Sequence, residues 1–257
     1  MRSSTACERG DRYRADVSWD AADPINLGGQ RWPDVRPGLT LLVPLGSTEQ
    51  HGPHLPLDTD TVIAAELAIR AAARCGDAVI VAPALPYGAS GEHAGFHGTL
   101  SIGTSALTSV LVELGRSATP PNGGPFARLV FVNGHGGNHT ALTDALAILQ
   151  DEGRNVTAWW PQVTGGDAHA GHTETSLLLA IAPERVRFPA GDRRTDALRG
   201  NTEPLSTLLA ALRSGGFRAV SPSGILGDAT TADAQEGERM LLDLVGQLVS
   251  FLGLPPR

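Results

Sequence analysis

Short apolar runs alternate with helical patterns along this chain. Four runs rich in β-branched side chains are bounded by turn residues, which is typical of buried strands in a parallel sheet; they span residues 39–45, 77–85, 128–134 and 155–161. Apolar side chains recur at helical spacing in 61–75, 104–118, 138–153, 174–181, 202–215 and 233–253. The alternation predicts an α/β fold: a single-domain three-layer α/β/α arrangement with a mainly parallel sheet.

The beginning of the chain differs from the rest. Residues 1–30 carry charges but no apolar segment, so we expect a loosely ordered leader and not a secretory signal, followed by one domain over 31–257. No run of about 18 apolar residues occurs, so we expect no transmembrane helix and no membrane partner. The two cysteines, Cys7 and Cys75, suggest no disulfide framework and fit a reducing cytoplasm.

The basic residues narrow the functional classes. All 20 are arginine, and the chain has no lysine. A lysine Schiff base, a P-loop lysine and a lysine general base are therefore excluded. The net charge is -7 and the arginines form no cluster along a helix face, so we expect no nucleic-acid binding.

The histidines are concentrated in four short polar segments. Each segment holds two of the eight histidines; the segments are EQHGPH, GEHAGFHG, NGHGGNH and DAHAGHTE. Three of them follow predicted strands, on the side of the sheet where open α/β folds bind ligands. Histidines of an ordinary core or surface would be scattered, so this distribution predicts one shared site at the C-terminal edge of the sheet.

Five side chains near these strand ends have the chemistry of metal ligands. Glu49 and His51 are two residues apart and point the same way in extended backbone. Asp60 precedes the helix at 61–75 and is a candidate N-cap of that helix, His135 ends the third strand, and Glu174 begins a later helix. Two histidines and three acids suit two divalent ions that share one carboxylate, with zinc, iron(II) and manganese all compatible. Such a pair of ions generates hydroxide near neutral pH.

Other polar residues of these segments have open roles. Asp58 is a turn or N-cap residue or a functional acid. His54 packs or orients a ligand, and His139 lies at a helix start, where a structural role is favoured. We expect His93 and His97 to line the pocket or to bind substrate.

The segment DTDT at 58–61 also matches the D-x-D-x-T pattern of Mg²⁺-dependent phosphohydrolases of the haloacid dehalogenase type. In that reading Asp58 is the nucleophile and Asp60 the acid/base. A hydrophobic strand should precede the motif, but GPHLPL precedes it here, and the usual lysine is absent. This alternative also leaves the histidine segments unexplained.

The same segments resemble the signature blocks of the creatininase family. VPLGSTEQHGPHLPLDTDT, GASGEHAGFHGTLSIG, FVNGHGGN and HAGHTETS occur in family order, and GILGDATTADAQEG resembles the C-terminal block. The resemblance implies a metal-dependent amidohydrolase with an α/β fold that is commonly hexameric. It places metal ligands at Glu49, His51, Asp60, His135 and Glu174, with Asp60 as the bridge, and the proposed catalytic histidine at His169.

The substrate is suggested by differences within the family. Creatinine-hydrolysing members carry a Tyr-Glu pair where this chain has Gly136 and Gly137, and a tryptophan shortly before HAG, where this chain has TGGDAHAG. The amino-acid sequences of these blocks are most similar to those of a family member that acts as a peptidase on a maturing precursor peptide. That member releases a C-terminal Val-Tyr dipeptide. The alternatives are hydrolysis of a small cyclic amide or formamide (creatinine or a formamidopyrimidine) and a non-catalytic metal-binding partner.

The predicted reaction is hydrolysis of a peptide C–N bond. His169 is suited to protonate the leaving amine. His93, His97 and His172 are expected to shape the substrate pocket. A peptide C-terminus needs a cation, and arginine is the only candidate type in this chain.

Overall fold

The computed structural model describes residues 24–120, 124–188 and 196–254. Residues 1–23 of the expected leader lie outside the described residues, so its loose order stays a prediction. The last leader residues contact the sheet: Asn26 pairs with Val81 in an isolated parallel bridge, and Leu27–Gly29 form a 3-10 helix.

Four parallel strands form the sheet of the described residues. They are β1 (Leu39–Leu45), β2 (Val79–Val81), β3 (Phe126–Asn133) and β4 (Val156–Trp159), in the order β2-β1-β3-β4. The register pairs Leu42 with Val81 on one side and with Val130 on the other. Every residue of β1 is buried, because helices cover both faces of the sheet. The predicted parallel sheet is confirmed.

Seven α-helices accompany the sheet in the described part of the chain: α1 (Thr59–Cys75), α2 (Thr104–Ala118), α3 (His139–Asp151), α4 (His172–Ile181), α5 (Leu205–Gly215), α6 (Phe217–Val220) and α7 (Ala234–Leu252). The sequence predicts all but α6, a single turn, to within a few residues. Helix α1 begins two residues earlier than predicted, so Asp60 lies inside its first turn and does not cap it. None of the described helices combines the length and apolarity needed to cross a bilayer.

Two apolar cores lie on opposite faces of the sheet. Successive strand residues point to opposite faces. Leu42 and Val130 therefore pack with α1, α4 and α7, whereas Leu41 and Leu129 pack with α2 and α3. This confirms the predicted three-layer α/β/α arrangement.

The two central strands lead the chain in opposite directions. After β1 the chain passes through α1 to β2, and after β3 it passes through α3 to β4, on the other side of the sheet. A crevice opens where such connections diverge, at the C-terminal ends of the strands. The loops that follow β1 and β3 meet there.

Candidate metal centre

Two glycines allow the first turn of α1 to approach the ends of β1 and β3. A Cβ at Gly46, just after β1, would lie 2.4 Å from the Cα of Thr61. A Cβ at Gly134, just after β3, would lie 2.4 Å from the backbone oxygen of Asp60. Only residues without a side chain permit this approach. The contact places Asp60 in the crevice between the two strands.

Asp60 lies between two histidines. Its Oδ1 is 2.9 Å from Nε2 of His51, and its Oδ2 is 3.3 Å from Nδ1 of His135. The Nδ1 of His51 is 3.1 Å from the backbone oxygen of Glu49, which orients the ring so that Nε2 faces the carboxylate. All of these side chains are buried.

Glu49 lies on the other side of His135. Its Oε2 is 3.2 Å from Nε2 of His135. Its Oε1 is 3.2 Å from Nε2 of His93 and 3.8 Å from Nδ1 of His169, but none of the described residues forms a hydrogen bond of good geometry with it. A buried carboxylate oxygen without a donor is unfavourable, so the arrangement suits a cation.

Glu174 completes the cluster from the first turn of α4. Its Oε2 accepts a hydrogen bond from the backbone N–H of Ala170 and is 3.8 Å from Nε2 of His51. Ala170 has a φ of 51°, the only positive value among the described residues that are not glycine. Such strained conformations concentrate at functional sites. Here the turn at Ala170 brings His169 and Glu174 to the same cluster.

The donor atoms form two overlapping ligand groups. Glu49, Asp60 and His135 make one group, and His51, Asp60 and Glu174 make the other; within each, the ligand atoms lie within 4.8 Å of one another. Asp60 belongs to both groups. The five residues proposed from the sequence are therefore close together, in an arrangement that can hold two ions around a shared carboxylate.

His169 lies beside this cluster. Its donor atom forms a third group with those of Glu49 and His51, and its ring centroid is 4.3 Å from that of His51. Its Nε2 is 2.8 Å from the backbone oxygen of Gln50, so Nε2 carries the hydrogen and Nδ1 faces Glu49. This position is compatible with metal ligation and with proton transfer.

The charges of the metal-free cluster also favour cation binding. Burial alone would lower the pKa of His51, but Asp60 and Glu174 raise it to about 10. Burial, partly offset by His51, raises the pKa of Glu174 to about 7. Burial opposes ionisation of Glu49, yet His135 and other imidazoles hold its pKa well below the ordinary value. His51 and Glu174 thus hold protons that a bound metal ion would displace.

Gln50 is a site residue that sequence spacing does not reveal. Its Nε2 is 3.0 Å from Nδ1 of His93, 3.1 Å from Nε2 of His169 and 3.0 Å from the backbone oxygen of Gly224. The side chain connects the loop after β1 with two other histidine segments. In the sequence it is a neutral amide between two predicted ligands, and nothing in its residue type marks it.

Asn138 is a second residue that the sequence analysis missed. Its Nδ2 donates to the backbone oxygen of Gly46 and to Oδ1 of Asn133, each at 3.0 Å, and its Oδ1 accepts from the N–H of Ala89 at 2.9 Å. It therefore joins the ends of β1 and β3 to the loop after β2. The one indication of this role in the sequence is that Asn138 ends the segment GHGGN, which follows the third strand.

The predicted substrate-binding histidines do not all lie together. His93 is buried and lines the cavity beside the cluster. His97 is exposed and lies outside the cavity lining. His172 also lies outside it, with Nδ1 2.9 Å from Oγ1 of Thr231 and Nε2 3.1 Å from Oε2 of Glu236. The structure thus brings one of the three to the site.

The residues with open roles lie around the cluster. Asp58, at the N-cap of α1, accepts a hydrogen bond from Arg185 at 2.7 Å. His54 is buried, with Nε2 2.8 Å from Oγ1 of Thr175, and so links the loop after β1 to α4. His139 is exposed at the start of α3.

A cavity of about 590 Å³ opens onto the cluster. Its volume is in the range of small-molecule and peptide-end sites. Glu49, His135 and His169 lie on one side, and side chains of α5 lie on the other. The cavity therefore gives a ligand direct access to the candidate metal centre.

Glu92 adds a carboxylate to this cavity. Its Oε1 is 3.7 Å from Nε2 of His135, and burial raises its pKa. A Cβ at Gly137 would lie 2.5 Å from the same Oε1. Gly137 therefore leaves the space that the Glu92 side chain occupies, whereas a Cβ at Gly136 would have no neighbour within 4 Å.

The sheet and the site both fall within one family profile. The Creatininase profile, described as creatinine amidohydrolase, matches residues 30–252, which is most of the chain. The chain belongs to the creatininase family. The predicted family, and with it the prediction of an enzyme that is a metal-dependent hydrolase, is confirmed.

Within the creatininase family, the chain is similar to peptidases over most of its length. The mycofactocin precursor peptide peptidase of Mycolicibacterium smegmatis is 57% identical over 212 residues, 80% of this chain and 81% of that protein. The protein of the same name from Mycobacterium tuberculosis is 52% identical over 220 residues, 82% of this chain and 83% of its own length. The creatinine amidohydrolase of Pseudomonas putida is 28% identical over 232 residues, covering 78% and 84%.

Solved creatininase structures share the fold. A mutant creatininase superposes with a TM-score of 0.68 at 25% identity, covering 90% of this chain and 99% of the other. A creatininase described as the Mn form has a TM-score of 0.68 at 24% identity, with the same coverage. The creatininase fold predicted from the sequence is confirmed.

Proposed function

We propose that this creatininase-family chain is a metal-dependent peptidase that acts on the mycofactocin precursor peptide and releases its C-terminal Val-Tyr dipeptide. The observation that carries the proposal is the 57% and 52% identity to two mycofactocin precursor peptide peptidases, over 80% and 82% of this chain. The glycines at 136 and 137, where creatinine-hydrolysing members carry Tyr-Glu, also support a substrate other than creatinine.

We infer two divalent cations at the cluster. Oε1 of Glu49 and Oδ2 of Asp60 are buried and have no hydrogen-bond partner among the described residues, as expected for oxygens that bind metal. Glu49, Asp60 and His135 would hold one ion, and His51, Asp60 and Glu174 the other. Imidazole nitrogens and carboxylate oxygens suit zinc, iron(II) or manganese.

When bound, two such ions would polarise the scissile carbonyl and lower the pKa of the attacking water. The protein supplies the proton transfer. His169 has Nδ1 facing Glu49, so this nitrogen takes a proton from the water and passes it to the leaving amine. The water oxygen joins the carbonyl carbon, the C–N bond breaks, and the released dipeptide carries the transferred proton on its amino group.

Gln50 keeps the proton-transfer histidine in orientation. Its backbone oxygen accepts from Nε2 of His169, and its side chain lies against the same ring. An imidazole fixed at one nitrogen presents the other in a constant direction. Gln50 is buried and lies outside the cavity lining, so it acts on the reaction by positioning His169.

Three further sequence predictions accompany this function. We propose one metallohydrolase domain over 31–257, which the family match to residues 30–252 supports. We also propose a homo-oligomer, a hexamer by family resemblance, and a cytoplasmic location. Sedimentation velocity tests the assembly: a single species at the mass of one chain would refute it.

Metal reconstitution with the precursor peptide tests the proposed function. Protein stripped with a chelator is reloaded separately with zinc, iron(II) or manganese, and mass spectrometry follows release of Val-Tyr. We expect no release by the stripped protein and release by at least one reloaded form. A peptide that lacks the last two residues is the substrate control.

Two results would contradict the proposal. Failure of every reloaded form to cleave the precursor peptide would exclude the peptidase. Opening of creatinine, or deformylation of a formamidopyrimidine, by the same preparations would establish the alternative hydrolase instead.

A further inference from the structure

One wall of the cavity is apolar and comes from a single helix. Leu205, Leu209 and Leu212 of α5 all line the cavity, and their spacing places them on one helix face. The first two remain 45% and 40% exposed. Leu208, on the adjacent face, packs with Phe217 in a separate small core that holds the helix in place. The helix thus presents leucine side chains to whatever occupies the cavity.

Arg213 is a cation on the same wall. It follows the leucines in the last turn of α5 and lines the cavity. Its side chain is exposed, and it forms no ion pair with an acidic group of the described residues. It is also the only arginine among the described residues that line this cavity. A permanent positive charge therefore faces the cavity without a carboxylate partner.

The end of α5 lies next to the candidate metal centre. A Cβ at Gly216, the residue that follows α5, would lie 3.1 Å from the backbone oxygen of Glu92. The following Phe217 stacks on the ring of His93, with centroids 4.1 Å apart, and meets His169 edge-on at 4.8 Å. Arg213 thus lies four residues before a residue that contacts the site histidines.

We propose that Arg213 binds the C-terminal carboxylate of the peptide substrate, and that the leucines of α5 contact the side chains of the released dipeptide. The inference rests on the proposed function and deepens it, because it makes the enzyme act on the peptide end. Two extended residues span about 7 Å, and Arg213 lines the same cavity as Glu49 and His135, so the proposal puts the bond before the last two residues on the metal side of this cavity. A guanidinium binds a carboxylate through two parallel hydrogen bonds.

Paired peptides test this assignment. One is a precursor fragment that ends in Val-Tyr with a free carboxylate, and the other ends in the C-terminal amide. We expect the wild-type enzyme to cleave the acid with a kcat/KM about 10- to 100-fold above that of the amide, the range for a charge-assisted bidentate contact. In Arg213→Gln the acid should fall to the rate of the amide, while the amide is cleaved at the wild-type rate.

Two variants provide the controls. Arg213→Lys keeps the positive charge but loses the planar guanidinium that can donate two parallel hydrogen bonds. It should therefore retain part of the preference for the acid. Arg239→Gln removes an exposed arginine of α7 that lies outside the cavity lining and should keep the full preference.

The results that would overturn the proposal differ from those that would overturn the function. Equal cleavage of acid and amide by the wild type, or a preference that survives in Arg213→Gln, would exclude Arg213 as the carboxylate site. An equal loss on both peptides would make its role structural. Fluorescence anisotropy compares the affinities of the protein for the two peptides. Equal affinity for the acid and the amide would refute the carboxylate site, whereas failure to cleave either peptide in the cleavage assay would refute the peptidase.

Discussion

Gly134 is the position where a single methyl group tests how the site is built. In Gly134→Ala the new Cβ would lie 2.4 Å from the backbone oxygen of Asp60 and 3.2 Å from the Cβ of Ala64. Real Cβ atoms essentially never come closer than 3.0 Å to another heavy atom, so the first turn of α1 has to move away by at least about 0.6 Å. The substitution therefore displaces the proposed bridging carboxylate.

The expected effect of Gly134→Ala has two parts. Overpacking of this kind costs about 1–3 kcal/mol of the free energy of unfolding, which in a domain of this size lowers Tm by about 2–12 °C. Displacement of Asp60 relative to His51 and His135 also weakens the metal centre. Changes in the supports of metal ligands lower affinity by about 10- to 100-fold.

Thermal unfolding of the metal-free protein and a metal titration measure the two parts separately. Gly136→Ala is the matched control, because it adds the same methyl group two residues away, where nothing lies within 4 Å of the new Cβ. We expect the control to keep the wild-type Tm and metal affinity. If Gly134→Ala also keeps both, the close approach of α1 to β3 does not set the position of Asp60.

The remaining predictions concern the roles of single side chains. Asp60→Ala should lose both metal ions in elemental analysis, whereas Asp58→Ala, which removes a carboxylate that pairs with an arginine outside the cluster, should keep them. His169→Ala should keep its metal and lose activity by about 10²- to 10⁴-fold; metal loss equal to that of Asp60→Ala would instead make His169 a ligand. Burial lowers the pKa of His54 from its ordinary value of 6.5 to about 4. As the pH falls, His54 is therefore protonated in the unfolded chain before it is protonated in the folded protein. His54 therefore contributes stability that is present above pH 6.5 and is lost towards pH 4, on the order of 3 kcal/mol. Denaturant titrations of the metal-free protein give the free energy of unfolding at pH 7 and at pH 5. The loss between these two pH values should be smaller for His54→Gln than for the wild type, and an equal loss would contradict the assignment.

Much of the fold follows from local patterns. Strand β1 and helix α2 have the bounds that the apolar periodicity predicts. A strand buried on both faces is a continuous apolar run, and a helix buried on one face repeats apolar residues at helical spacing, so neighbouring residues carry both patterns. The start of α1 differs by two residues. Asp60 is a candidate N-cap in the sequence, but in the fold Thr59 and Asp60 are buried in the first turn of the helix, against the strand ends. A tertiary contact thus extends the helix beyond its apolar pattern.

The candidate ligands could be proposed from residue type and placement. Glu49, His51 and His135 follow strands that end at the same edge of a parallel sheet, so their proximity is a consequence of topology. His97 and His172 have the same residue type and similar placement, yet one is exposed and the other pairs with Glu236. Residue type alone does not give the direction of a side chain in a loop.

The sequence by itself determined the alternation of strands and helices, the edge of the sheet where the site lies and the kind of ligand that it can bind, since each depends on short-range pattern and side-chain chemistry. Only the tertiary structure decided which side chains share the site. Gln50 meets Gly224 across 174 positions of the chain, and Arg213 lines the same cavity as His135 and His169 because of where α5 packs. Such contacts depend on how distant segments pack, and no local pattern records them.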